Sequence, residues 1–383
     1  MQTLQTRFIQ PSIINLYNKT IISIILILLT ATPTKSAYNS FKISIFSLFL
    51  LSLLMPSMDA ASSFSSSDIT ALHPDIIRSH ILNRLDGPTL ASASSATLHL
   101  RRLCTDHNLW RTICAASWPS LNQPHASSLI DTFPAAHRSV FSDSFPSIQY
   151  SPPPHPNPPQ LPPEFVSAVD LYYKGRPVFS RVITTETHKG WFLSSPLWVE
   201  LLDPNEVVPT PLIFAKCDEE SSWLAHLEEN LGLSWIVIDP TRKRAVNLSS
   251  RRPVAARRHW LTGDLEVIFA VTMETVQWVI RVTCCGKAGG AMHVREASLT
   301  MEDTEGRHVT GRDSFVILQD AMENGERRKP DPEEAKARFD KFCRLKREIR
   351  ERKLRRDSVM DTVAMLVSFT IFVSLFWFMV FGF

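Results

Sequence analysis

Cys284 and Cys285, followed by Gly286, are the residues that first suggest a nucleophilic chemistry. Neighbours on a strand point to opposite faces, so this pair cannot share one base and no catalysis is expected there. The other cysteines, Cys104, Cys114, Cys217 and Cys343, include no C-x-x-C pair, and no His cluster stands at zinc spacing. All six read as buried, reduced thiols of a cytosolic or nuclear chain. His188, His259, His293 and His308 are too dispersed to act together as ligands. No nucleophile elbow, P-loop, dinucleotide-binding glycine signature, zinc-protease motif or kinase set occurs. The expectation is a chain without catalytic residues, cofactor or metal.

Charge narrows the class further. Lys and Arg number 41 against 38 Asp and Glu, a formal +3 over 383 residues, which excludes a nucleic-acid-binding polycation. The basicity is local, with nine Lys or Arg against two Glu from Lys341 to Arg356. Arg242 to Arg244, Arg251-Arg252 and Arg257-Arg258 make a second basic stretch. It reads first as a solvated loop between strands and second as a site for an acidic partner or a phosphate. Asn247-Leu248-Ser249 is a glycosylation sequon that a cytosolic location would leave unused.

The elements that position whatever function remains begin at Ser67. Ile76, Ile77, Ile81, Leu82 and Leu85 recur at helical spacing, so a helix starting near Pro74 carries one continuous apolar face. Asp86-Gly87-Pro88 is expected to stop it. Further helices are expected over Leu90 to Ala96 and Leu98 to Cys104, with a fourth opening at Leu109-Trp110. Such a unit buries too little surface for comfortable independence and wants a partner.

Residues 67–118 resemble an F-box, the adaptor-binding motif of SCF ubiquitin ligases. The family's order is Leu-Pro-x-Glu, paired aliphatics, Leu-Asp, a leucine-bearing helix and a late Leu-Trp. It is met by Leu72-His73-Pro74-Asp75, Ile76-Ile77, Ile81-Leu82, Leu85-Asp86, Leu90 and Leu109-Trp110. His73 replaces the family's first proline, and Ala96 to Leu100 replace its Val-Ser-Lys-x-Trp segment. The stretch is most similar to a group of plant F-box proteins with LDGPTLAS-like and LWRTIC-like segments. The resemblance implies docking on a Skp-type adaptor, and through it on a cullin. The docking face it implies holds Leu72, Pro74, Ile76, Ile77, Ile81, Leu82 and Leu85, helped by Leu90, Leu103 and Trp110. The bland alternative is a helical subdomain packed on the rest of the chain.

Around this motif the chain divides by composition. Residues 1–57 form an apolar extension, a targeting or membrane segment unless the mature chain begins at Met58. Residues 119–164 form a linker, proline-rich over 151–163, where polyproline II makes a semi-rigid strut. Residues 165–320 alternate as short strands (VSAVDLYY, PVFSRVI, PLWVELL, LSWIVID, LEVIFAV, VQWVIRV and FVILQD) around one helix at Ser221 to Leu231. Trp191, Trp198, Trp223, Trp235, Trp260 and Trp278 are expected mostly in its core. Residues 332–358 read as a basic helix, and 362–383 as an uncharged span of about 33 Å, enough for a bilayer.

The fold class expected is α+β: an F-box helical bundle, a proline-rich linker, a β-rich sandwich-like domain, a basic helix and a C-terminal transmembrane helix. The function this implies is a non-catalytic substrate-recognition subunit of an SCF-type ligase, whose β-rich domain binds an unnamed protein target. It would be tail-anchored in a membrane with its domains facing the cytosol. The alternative is a membrane-tethered binding module, lectin-like, acting outside a ligase.

Overall fold

The computed structural model describes residues 73–151, 161–213, 220–287 and 289–382. The segment 1–57, Leu72, most of the proline-rich run and Cys217 lie outside the described residues. The chain falls into two compact units, Met1–Cys104 and Thr105–Phe383.

In the first unit the helix expected from Pro74 is not regular. α1 (Pro74–Ile76) passes into a π turn (Ile77–Ile81) and then a 3-10 turn (Leu82–Arg84). Each change of pitch rotates the aliphatic row. Ile77 and Leu82 are therefore buried, whereas Ile76 and Ile81 are 47% and 37% exposed. Asp86-Gly87-Pro88 also does more than stop a helix. The Asp86 carboxylate accepts from the Thr89 amide at 3.0 Å and caps α2 (Gly87–Ala96), whose first turn contains Pro88. α3 (Leu98–Cys104) follows as expected.

The second unit opens with α4 (His107–Ser117), a 3-10 turn (Pro119–Asn122), α5 (Pro124–Ile130) and α6 (Ala136–Ser144). Phe141 binds this layer together, its ring centroid 5.2 Å from Trp110, 5.5 Å from Trp118 and 5.0 Å from Phe145. Strands β1 (Ser147–Gln149), β2 (Glu164–Tyr173) and β3 (Arg176–Glu186) come next. After α7 (Gly190–Ser194) stand β4 (Trp198–Glu200) and β5 (Val208–Ile213). α8 (Glu220–Asn230) leads into β6 (Leu231–Asp239), β7 (Arg244–Asn247) and β8 (Ala255–Arg258). Then follow β9 (Leu265–Met273), β10 (Val276–Cys285) and β11 (Ala291–Asp303). α9 (Gly311–Asn324), β12 (Glu326–Arg328) and α10 (Pro332–Phe381) complete the described order.

These strands make antiparallel sheets. One runs β3-β2-β6-β7, a second runs β4-β11-β10-β9-β8 with β5 also on β11, and β1 pairs with β12. The two large sheets share one apolar core, in which Phe165, Val169 and Trp235 of the first meet Phe269, Trp278 and Leu299 of the second. Helices cover the outer faces. α6 packs on β7, and the 3-10 turn packs on β2 and β3. Phe339 of α10 packs against Val254, Ile268, Ala270 and Val279 behind the second sheet.

Three sequence expectations need correction. FVILQD is helix α9, not a strand, because Thr310 and Asp313 form a reciprocal cap: the Asp313 amide donates to Thr310 Oγ1 at 3.1 Å, and Thr310 Oγ1 donates to Asp313 Oδ2 at 2.8 Å. Of the six tryptophans expected mostly in the core of residues 165–320, Trp235 and Trp278 are buried, while Trp191, Trp198 and Trp260 are exposed. The basic and apolar stretches at the C-terminal end are one continuous helix, α10.

Candidate functional site

The motif-bearing surface of the first unit is built by the irregular helix from Pro74 to Arg84. Ile77 and Leu82 turn inward with Leu90 and Leu103, and all four are buried. Ile76, Ile81 and Leu98 stay exposed, and Pro74 and Leu85 are half-buried. Trp110 is buried in the second unit against Phe141. The expected docking residues therefore sort into bare aliphatics and supporting core, and Leu72 lies outside the described residues.

The second unit holds a cavity of about 500 Å³ at one end of the first sheet. Trp118 and Phe145 contribute aromatic wall from the helical layer, and Tyr172, Lys174, Arg251 and Arg252 contribute polar wall from β2 and its turn and from the loop after β7. Arg251 is set in place by its own backbone, which takes the left-handed conformation at φ 66°. Its amide donates to Ser249 Oγ at 3.0 Å, and its carbonyl accepts from the Leu233 amide at 3.0 Å. The guanidinium lies 4.7 Å from the Phe145 ring centroid and donates to the Phe145 carbonyl. Burial pulls its pKa down to about 10, with Tyr172 acting in the opposite sense. The Tyr172 hydroxyl itself donates to the Ser117 carbonyl, and burial raises its pKa.

The basic stretch is thus not simply a solvated loop. Arg244 pairs with Asp143 at 2.9 Å, Arg257 pairs with Glu266 at 2.8 Å, and Arg251 is folded inward. Sequence reading missed the cavity because its wall comes from helix ends, strand ends and a loop distant in sequence. The doubled arginine at Arg251-Arg252 was its one legible trace.

The remaining residues that attracted notice have structural roles. Cys284 is buried, and burial pushes its thiol up to about 12, far from a thiolate nucleophile. The five described cysteines form no disulfide. Asn247 of the sequon is buried: its Oδ1 accepts from the Trp235 amide at 3.2 Å and the Ser249 amide at 3.1 Å, and its Nδ2 donates to Ser234 Oγ at 2.9 Å. No glycan fits there without breaking β6 from β7. His259 Nδ1 accepts from the Thr262 amide at 3.2 Å and closes the β8–β9 turn.

The fold does gather histidines, though not those four. His107, Asp131 and His137, from three helical elements, place one ligand-capable atom each within 4.8 Å of one another. His137 is buried, and neither of its ring nitrogens has a hydrogen-bond partner among the described residues.

Comparison with known proteins points one way. An F-box protein of Arabidopsis thaliana is 43% identical over 335 residues, covering 83% of this chain and 98% of the relative. A probable F-box protein of the same plant is 43% identical over 317 residues, covering 79% and 92%. A further Arabidopsis F-box protein is 40% identical over 328 residues, covering 80% and 89%. No family model matches the chain, and no solved structure matches it.

Proposed function

The chain belongs to the F-box family, and we propose that it is the substrate-recognition subunit of an SCF-type ubiquitin ligase. The observation that carries this reading is the likeness to F-box proteins over 83% of the chain. It is joined by the isoleucines left bare on the motif-bearing helix, Ile76 and Ile81. In this reading Pro74, Ile76, Ile81 and Leu85 dock on a Skp-type adaptor that links the chain to a cullin, and the motif adds Leu72 from sequence alone. Ile77, Leu82, Leu90 and Leu103 support that surface from within the first unit, and Trp110 belongs to the core of the second. The chain is then a non-catalytic subunit: the β-rich region holds a target protein, and ubiquitin is transferred by a conjugating enzyme elsewhere in the complex.

We also read the apolar half of α10 as a bilayer span. Every large apolar side chain described from Val363 to Val380 is exposed, on a helix long and apolar enough to cross a membrane. The basic run before it suits the cytosolic side.

The test is the full chain carrying Ile76→Asp and Ile81→Asp. Burying an aliphatic side chain contributes roughly 1.5 to 3 kcal/mol. Adaptor binding is therefore expected to weaken at least tenfold while the melting temperature stays unchanged. Unchanged adaptor affinity would overturn the docking assignment. Co-purification with a cullin separates a ligase subunit from a tethered module working outside a ligase.

A further inference from the structure

The cavity between the helical layer and the end of the first sheet has an electrostatic peculiarity. Arg251 is a half-buried charge of its wall, while Lys174 and Arg252 are exposed, and among the described residues no carboxylate forms an ion pair with it. Its donors meet the carbonyl oxygens of Phe145 and, at 3.5 Å, Ser144. A desolvated guanidinium with no counter-charge is costly, and such groups are ordinarily paired. The neighbouring wall does not neutralise it. Lys174 and Arg252 add two more positive charges, and Glu229 is the single acid among the described lining residues.

A concave site lined by one sign of charge concentrates ions of the other. The volume of about 500 Å³ lies in the range of small organic ligands. Trp118 and Phe145 offer aromatic surface beside the charge. The Tyr172 hydroxyl is engaged with Ser117, so the charged donors left to meet a ligand are the guanidinium and the two rim cations.

We propose that this cavity binds an organic anion, a phosphate monoester or carboxylate, whose charged group pairs with Arg251 and whose body lies against Trp118 and Phe145. With Nη2 donating to the Phe145 carbonyl, the planar guanidinium still offers its remaining N–H groups to either oxyanion in charge-assisted bonds. Lys174 and Arg252 draw the ligand in and hold it at the rim. The site lies within the second unit, so it stands whether or not the first unit docks on an adaptor. A failure of the Ile76 and Ile81 experiment leaves it untouched.

The experiment is calorimetric titration of the full chain in detergent with phenyl phosphate, and with benzyl alcohol as the neutral control. Phenyl phosphate is expected to bind saturably and benzyl alcohol at least tenfold more weakly. In Lys174→Gln/Arg252→Gln, which removes two exposed charges, phenyl phosphate is expected to bind roughly tenfold more weakly at an unchanged melting temperature. Arg251→Lys keeps the charge, loses the fork and is expected to bind less tightly still. If that variant unfolds, the rim variant carries the test alone. No saturable binding, equal affinity for the alcohol, or an unaltered affinity in the rim variant overturns the proposal. N-acetyl phosphoserine amide is then compared with the same residue inside an eight-residue peptide. Tighter binding of the peptide identifies the anion as a side chain of a captured protein, and equal binding identifies a free small molecule; either result upholds the site.

Discussion

His137 shows what a single buried side chain imposes on the second unit. Burial lowers its pKa below the ordinary 6.5, and the neighbouring charge of His107 lowers it further, against Asp131, which raises it; Arg111 again lowers it. The folded imidazole is thus neutral where the unfolded one is still half protonated. The unfolded chain then binds more protons between the lowered pKa and about 6.5, so stability rises with pH through that window and is lost as pH falls through it. Melting of the chain is expected at a lower temperature at pH 5.5 than at pH 7.5, and His137→Phe is expected to flatten that difference. An equal pH dependence in the variant would place the acid sensitivity elsewhere. Nothing in the spacing of His107, Asp131 and His137 announced their meeting, because it depends on how three helical elements pack. Cys284 was the opposite case. Its alternation on a strand already predicted an inert thiol, and its burial supplies the reason.

At the scale of elements, legibility followed periodicity. β2, β6, β9 and β10 are short runs rich in Val, Ile, Phe and Trp and were readable, as was α8 from its own spacing. β11, the longest strand described and the partner of β10, β4 and β5, was not. Its inward residues are Met292 and Val294, then Ala297, Leu299 and Met301, so the phase of two breaks between Val294 and Ala297. The break is a β-bulge. Cys284 pairs with Val294 and Thr283 with Glu296, leaving Arg295 as the unpaired extra residue, its guanidinium 2.7 Å from Asp264. Deleting Arg295 would restore strict alternation with every inward residue kept. Deleting Ser298 would turn Leu299 and Met301 to the opposite face. The Arg295 deletion is expected to remain folded with a reduced melting temperature, and the Ser298 deletion to yield no cooperative transition. Equal behaviour of the two in thermal melts would show that the bulge does not set the register.

At the scale of the whole molecule the question is what α10 joins. Its first half belongs to the globular unit, with Phe342 buried, Lys336 paired to Glu228 at 2.8 Å and Lys346 paired to Glu302 at 2.8 Å. Its second half carries Phe369, Phe372, Phe376 and Trp377 exposed on a helix that extends to Phe381. The helix is unbroken between the two, so a bilayer holding the second half would hold the globular unit at a set distance from its surface. Arg352, Lys353, Arg355 and Arg356 lie between them and, with the second half in a bilayer, would resist translocation. A chain ending at Asp361 is therefore expected to leave the membrane fraction with adaptor binding intact, provided residues 1–57 are also removed. Ser368→Arg with Val373→Arg is expected to act like the truncation, because each arginine near the bilayer centre costs about 2.5 to 3.5 kcal/mol on insertion scales. Membrane association that persists in residues 58–361 would assign the attachment to another part of the chain. Loss of adaptor binding on truncation would mean that α10 is needed to fold the chain rather than to tether it.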